Sequence, residues 1–490
     1  MSPDAAEIAI PDAATASTAR APAWSWWARL TQRYALCASD PARMAAVRDT
    51  WRALWISRLL VWVAGAGTVA TLGFGPVRGA FDPPGVTRGF GWLGDLLAAP
   101  AARWDSAWYL VIAHYGYRPE LSAYGTSARD AFFPLYPLGL RVLSDLGLQA
   151  VLAGVLLSLA ALALALYGIH RLSTLELAGS GRAGGADVAR LAVLVTALAP
   201  MAFYFSAVYS ESLYLALSVG LFWCARQGRW AWVGVLGALA AATRSTGLVL
   251  ALPALMLYLY GPREDRAPDF ELARWLRVGG PRTGGKRAGA LRTFAHRLRP
   301  RYKLRANLLW LALLPAGLGL YMAYLGLAGG DPLEPLRSEN VWGRHFAGPY
   351  LGVWDGVRAA FEGARQLLSA QTAHVYFPSG VGSPFIAAGH NLMLLAFLLG
   401  AAALLVIAVR VLPLAYGAYA IAALALPLSY PVASQPLMSL PRFLIVLFPL
   451  SMALAAWLAA HPRMRMPVLA ISALSMAGFV AQFATWHWVA

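Results

Sequence analysis

The chain has 490 residues, 59% of them hydrophobic and only 13% charged, with two cysteines and a net charge of +17. Soluble domains run near 25% charged, and Cys37 and Cys224 are too few and too far apart for a disulfide framework or a thiolate metal site. The excess charge is local: residues 261–305 hold 13 Lys/Arg against 4 Asp/Glu. No aromatic-interleaved module surrounds it, so it reads as a membrane-flanking loop, compatible with anionic head groups, rather than a nucleic-acid surface.

Apolar stretches of about 18–22 residues follow one another, a length that matches the hydrocarbon core and predicts an all-α polytopic membrane protein. The roughly ten-residue alternation of a β-barrel is absent. Residues 1–52 read as a cytoplasmic N-terminal segment. Asp4, Glu7 and Asp12 argue against a signal peptide, and AWSWWARLTQRY (23–34) reads as an interfacial helix. A transmembrane domain is expected over 53–490.

The first span is 53–74, and 75–148 is a first external loop carrying interfacial helices. Within it lies RWDSAWYLVIAHYGY (103–117), not quite apolar enough to cross, with Asp105 between two tryptophans. As a helix it sets Trp104, Trp108, Val111 and Tyr115 on one face, toward lipid or a neighbouring span, with Arg103 and His114 roughly opposite. FFPLYPLGLRVLSDLGL (132–148) holds two prolines, Arg141 and Asp145. It reads as a helix on or dipping into the outer face, because the charge parity needs one run fewer than the apolar segments supply.

Apolar runs follow near 149–169, 190–208, 211–226, 230–244 and 246–261. The basic loop 261–305 comes next, then 306–327, a long external loop 328–385, and runs at 386–409, 411–431, 442–460 and 467–486. Placing 261–305 in the cytoplasm puts the basic gaps at 170–190, 225–230, Arg410 and 461–467 on the same side. About 11 spans result, between about 10 and 13, with the N-terminus inside and no internal repeat. Asp105, Tyr209 to Ser212, Arg244 and Arg442 then collect at the external face.

Each of these residues has a plainer role available. Asp105 is a favoured helix cap, and Glu211 suits a helix N-terminus. Arg244 and Arg442 suit snorkelling anchors. Residues 352–368 suit an amphipathic packing helix, and His345 and His374 read as surface residues.

RWDSAWYLVIAHYGY, FFPLYPLGLR (132–141), YSESLYLALS (209–218) and ATRSTGLVL (242–250) occur in the order of the PIG-V mannosyltransferase family, which the chain resembles over much of 103–250. The resemblance implies the GT-C fold, a polyprenyl-phosphate sugar donor and no required cofactor, with a divalent metal possible. It implies Asp105 as catalytic base and Glu211, the acid of the Ser-Glu-Ser block, as a second catalytic-site acid. Arg244 matches the basic residue of an Arg-Ser-Asn-Gly-like block, with Thr246 where Asn is usual. Arg103 stands where eukaryotic members often have His.

Transfer from a β-linked polyprenyl-phosphate mannose would be a single inverting displacement, with Asp105 taking the acceptor's proton. Arg442 and Arg244 suit the leaving lipid phosphate. Arg103, Trp104, His114 and Tyr209 are candidates for shaping the acceptor side. The expected partners are the donor lipid, a glycolipid, glycan or protein acceptor and the bilayer, with no nucleic acid, at the cell (inner) membrane. A polytopic lipid or sugar transporter or flippase is the competing class. It would bring inverted repeats and mid-membrane charges.

Overall fold

A computed structural model describes residues 40–73, 81, 83–87, 91–117, 128–178, 185–266, 300–328, 330–373, 383–433 and 435–489. The expected interfacial helix at 23–34, the centre of the basic loop (267–299), His374 and parts of 75–130 lie outside them. The chain forms two compact units, Met1–Arg48 and Asp49–Ala490. In the first unit, the Asp40 carboxylate accepts from the backbone N–H groups of Ala42 and Arg43, an N-cap that starts helix α1 (Pro41–Leu72).

Regular structure among the described residues is helical apart from an isolated bridge between Arg344 and Val432. Besides α1, the helices that matter here are α2 (Gly91–Ala98), α3 (Ser106–Tyr115), α4 (Leu135–Asp145), α5 (Ala150–Leu177), α6 (Gly185–Leu198), α7 (Glu211–Arg226), α8 (Trp230–Ala241) and α9 (Ala251–Tyr260). After them come α10 (Ala316–Leu327), α11 (Pro349–Ser369), α12 (Pro384–Val411), α13 (Leu414–Leu428), α14 (Leu440–Ile445), α15 (Phe448–Ala460) and α16 (Arg465–Ala484).

Four segments among the described residues are long and apolar enough to cross a membrane: α1, α5, α12 and Pro462–Ala484. The pair Ala306–Leu313 and α10, bent by 41°, makes a fifth if counted as one span. Exposed apolar side chains on these helices, such as Leu59 and Val63 on α1 and Ile471 and Leu474 on α16, are what a lipid-facing surface requires. The protein is an all-α polytopic membrane protein.

Several expected spans are broken rather than continuous. The run at 190–208 stops as a helix at Leu198, just before Pro200, and continues as a 3-10 turn over Ala202–Phe205. The run at 442–460 is divided at Leu447 into α14 and α15, with Pro449 near the start of the second. Such breaks let backbone and polar side chains turn inward where other helices can satisfy them.

The helix expected not to span, at 132–148, is α4. Its eleven residues reach about 16 Å at 1.5 Å per residue, against about 30 Å of hydrocarbon. It buries Tyr136, Pro137 and Leu140 and exposes Leu138 and Val142.

The core forms where α5 packs on α6 and α7, α6 on α15, and α7 on α8. Small residues permit the close approach: a Cβ on Gly317 of α10 would stand 1.8 Å from the Ala238 carbonyl oxygen of α8. Several buried charges among the described residues are paired. Arg58 of α1 donates to the carbonyls of Ala197 and Ala202 and to the Ser206 hydroxyl, pinning the broken end of α6. Arg226 donates to Glu176, which also accepts from the Tyr416 hydroxyl.

The long loop expected at 328–385 contains α11, the amphipathic helix expected at 352–368. Gly352, Gly356, Ala359, Ala360, Gly363 and Gln366 are buried on one face, against α12 and α13. Tyr350, Trp354, Phe361 and Leu368 are exposed on a second face. The spacing of Asp355, Arg358, Glu362 and Arg365 places charge on a third.

Candidate active site

Asp105 sits in the last residue before α3, where a cap would be. Its side chain makes no capping hydrogen bond. Instead its Oδ2 accepts from Arg442 Nη1 at 2.5 Å, across 337 residues of sequence. Capping therefore does not explain this acid.

The backbone beneath it is held in an unusual shape. Trp104 has φ 56°, a left-handed conformation that costs a bulky residue about 1–3 kcal/mol. Two contacts impose it. The Tyr209 hydroxyl accepts from the Asp105 N–H and donates to the Arg103 carbonyl, both at 3.1 Å, bracketing Trp104 from either side. The Trp104 ring meets Trp486 and Trp488 edge-on, with centroids 5.8 and 5.4 Å away.

Glu211 is the first residue of α7, where the helix dipole favours an anion. Its Oε1 accepts from Arg244 Nη1 at 2.6 Å and lies 3.5 Å from Arg442 Nε, while Oε2 is buried without a hydrogen-bond partner. Arg442 thus bridges the two carboxylates. Arg244 reaches in from the extended residue ahead of the 3-10 turn Ser245–Leu250, just past the end of α8. Arg442 lies in the first turn of α14, which starts after Ser439, itself left-handed at φ 68°.

Exposure divides the four. The side chains of Asp105, Arg442 and Arg244 remain 17%, 13% and 14% exposed, whereas Glu211 is at 1%. Asp105 and the two guanidiniums can meet a ligand; Glu211 lies beneath and holds the arginines. The external turn expected at Tyr209 to Ser212 is buried throughout. The fold tucks it under α3, where the Tyr109 hydroxyl hydrogen-bonds Ser210 at 2.9 Å.

The other site candidates fall elsewhere. Arg103 points to the chain's C-terminal end, donating to the Ala484 carbonyl and lying over the Trp486 ring. His114, at the far end of α3, is exposed and rests on Tyr115. The tryptophan stripe of α3 faces protein. Val111 is fully buried, and Trp108 stacks on Phe81 and Phe132 at 4.1 and 5.9 Å. The helix is packed into the bundle because the residues between the stripe positions, from Tyr109 to Ala113, are buried as well.

One residue escaped the sequence reading. Arg344 donates to the carbonyls of Tyr430 and Met438, at 3.2 and 3.1 Å, and pairs with Glu339. It staples the loop that delivers Arg442. Burial lowers its guanidinium from the ordinary value, opposed by Glu339. Arg244, Arg344 and Arg442 all lie within 6 Å of the Phe443 ring centre. Nothing in VWGRHF marks Arg344 out locally.

Among the described residues no three His, Cys, Asp or Glu side chains gather as metal ligands. The arrangement offers a partly exposed carboxylate with one oxygen anchored and one unanchored, beside two guanidiniums. Such a set can accept a proton and stabilise an adjacent anion.

Residues 92–259 match the model of the mannosyltransferase (PIG-V) family. The chain is 33% identical over 183 residues to the GPI alpha-1,6-mannosyltransferase 2 of Rattus norvegicus, covering 35% of this chain and 34% of that protein. It is 33% identical over 178 residues to the protein of that name from Cricetulus griseus, with 35% and 34% covered. For Mus musculus the match is 34% over 159 residues, with 30% and 29% covered. The chain spans about a third of the length of the curated relatives it matches. No solved structure matches it. Arg442 lies outside the matched segment, which holds Asp105, Glu211 and Arg244; over residues 92–259 the chain is PIG-V-like.

Proposed function

We propose that the protein is a membrane glycosyltransferase moving mannose from a polyprenyl-phosphate donor to an acceptor hydroxyl at the external face. The observation that carries this reading is the pairing of Asp105 with Arg442 beside Arg244, within a chain that is PIG-V-like around the acid. In the step, the acceptor oxygen bonds to the sugar's anomeric carbon as the bond from that carbon to the phosphate oxygen breaks. The hydroxyl proton passes to Asp105, through the oxygen that Arg442 leaves unanchored. The lipid phosphate leaves with the electron pair, beside Arg442 and Arg244. Inversion follows from the single displacement.

The external placement rests on the alignment of the basic gaps on the other side. The acceptor belongs to the envelope: a glycolipid, a glycan or a protein. Glu211 acts by holding the two guanidiniums rather than by touching the acceptor, since it is almost fully buried.

The test is transfer by the purified protein. Asp105→Asn should lower the rate by about 100-fold or more, the range expected for losing a general base, with unchanged thermal midpoint. Near-normal transfer by Asp105→Asn removes the base assignment. Absence of transfer by the wild type from polyprenyl-phosphate mannose, alongside transfer from another donor, removes the donor.

A further inference from the structure

Among the described residues, Arg129 is the one buried arginine whose guanidinium the fold leaves without a hydrogen bond. It is 2% exposed, and its Nε and Nη1 are buried with no partner. The other buried arginines described, Arg58, Arg103, Arg226, Arg263 and Arg344, each donate to carbonyls, carboxylates or both. Asp130, next in sequence, feels the charge of Arg129 but is not ion-paired with it. A guanidinium cannot shed its proton to escape burial, so an unpaired one is costly unless an anion completes it.

The surroundings are built rather than accidental. Arg129 lies in the 3-10 turn Ala128–Ala131, which packs against Glu334–Arg337 and Ser338–Trp342. The turn is fixed by the Tyr321 hydroxyl, which donates to the Asp130 carbonyl at 3.0 Å. In the facing segment the Ser338 hydroxyl is 1% exposed and also lacks a partner. The same segments carry exposed Leu333, Leu336 and Val341, a surface suited to lipid chains.

The location joins this pair to the acid cluster. Phe132, three residues after Arg129, stacks on Trp108 and meets Tyr109 edge-on at 5.1 Å, both in the first turn of α3 after Asp105. Trp342 meets Phe132 at 6.0 Å. The cluster itself is self-neutralised, with Asp105 and Glu211 against Arg244 and Arg442. Arg129 supplies positive charge that no side chain beside it consumes by hydrogen bonding.

We propose that Arg129, with the Ser338 hydroxyl, forms a binding site for the phosphate group of a lipid, separate from the Asp105–Glu211–Arg244–Arg442 cluster. A tetrahedral phosphate offers acceptors in several directions, as donors on two different segments require. This deepens the function proposed above by adding a second lipid-phosphate site beside the one that Arg442 and Arg244 offer the leaving group, and it rests on that reading only for the lipid's being a substrate.

The experiment uses the full chain in phosphatidylcholine nanodiscs, with farnesyl phosphate and farnesol as probes. The wild type should bind farnesyl phosphate well above farnesol. Arg129→Gln should weaken farnesyl phosphate roughly 10- to 100-fold, the range for losing charge-assisted hydrogen bonds, with farnesol unchanged. Arg129→Lys should restore part of the loss. Below about pH 6, where Asp130 is protonated, unliganded Arg129→Gln should melt no lower than wild type, because the guanidinium removed made no hydrogen bond. A structural arginine would do the opposite.

Wild-type affinity in Arg129→Gln, or an equal loss for farnesol, overturns the site. Should Arg129→Gln fail to fold, Ser338→Ala decides: weaker farnesyl phosphate binding supports the site and unchanged binding overturns it. Repeating the titration with phosphatidylglycerol in the disc separates the sources. Competition that depends on Arg129 identifies a phospholipid headgroup, and none identifies a prenyl phosphate. A wild type that binds through Arg129 but transfers no mannose sinks the proposed function and leaves this site standing. Normal transfer with unaltered binding in Arg129→Gln does the reverse.

Discussion

Tyr209→Phe isolates the feature that aims Asp105. The ring is fully buried, edge-on to Tyr204 at 4.9 Å and near Phe483 at 6.1 Å, so phenylalanine keeps the packing. What disappears is the hydroxyl that accepts from the Asp105 N–H and donates to the Arg103 carbonyl. Each orphaned backbone group costs about 1–3 kcal/mol. The left-handed Trp104 between them stores about 1–3 kcal/mol, which only its ring contacts with Trp486 and Trp488 then oppose. The local backbone has the means to relax, and Asp105 moves with it. A displacement of about 1 Å in a reacting group costs roughly 100-fold in rate. The expected result is a kcat lowered about 10- to 100-fold with donor KM within about threefold, since Arg244 and Arg442 stay in place. Initial rates across donor concentration, on detergent-purified protein, read both constants. A kcat within about twofold of wild type would refute the claim that the Tyr209 hydroxyl positions the acid.

Arg442→Lys should raise donor KM, because an ammonium cannot bridge Asp105 and Glu211 as the guanidinium does; unchanged donor affinity would remove Arg442 from the phosphate site. Arg344→Ala frees two carbonyls of the loop carrying Arg442 and should reproduce the Arg442→Lys phenotype without touching substrate, as donor titration would show. Asp130 has its carboxyl raised to about 6 by burial, opposed by Arg129 and reinforced by Glu334. A raised folded value means that stability falls as pH rises from the ordinary carboxyl range to about 6. Asp130→Asn should therefore raise the thermal midpoint at neutral pH, and the gain should vanish as pH falls below about 4; a constant gain across pH would contradict this. On α11, a spin label at Phe361→Cys should be accessible to oxygen and one at Arg358→Cys to a water-soluble nickel reagent, because the two side chains stand on different faces; equal accessibility would contradict an interfacial helix.

Much of the fold was legible because hydropathy and the positive-inside bias are local properties. Runs of apolar residues announce α1, α5, α12 and α16 directly. Two prolines, with Arg141 and Asp145, announce that α4 does not span. The short blocks around Asp105, Glu211 and Arg244 were legible too, since each lies within a few residues of its own signature. The surroundings of Arg103 and His114 were not legible, because a helical wheel shows which side a residue takes but not what stands there. The wheel likewise left the tryptophans of α3 facing either lipid or a neighbouring span, and the packing against Phe81, Phe132, Trp486 and Trp488 decides for protein.

By itself, the sequence determined the all-α membrane character, the order of the helices and the short blocks that carry Asp105, Glu211 and Arg244. Only the tertiary structure decided that Arg442 meets Asp105 across 337 residues, that Arg344 holds the loop in between, that Glu211 lies beneath the arginines and that Arg129 is left unpaired. The reason is physical. Chain length and local polarity decide where a helix begins and ends, but the partner of a buried charge is chosen by whichever distant segment packing brings within hydrogen-bond reach, and no local pattern encodes that choice.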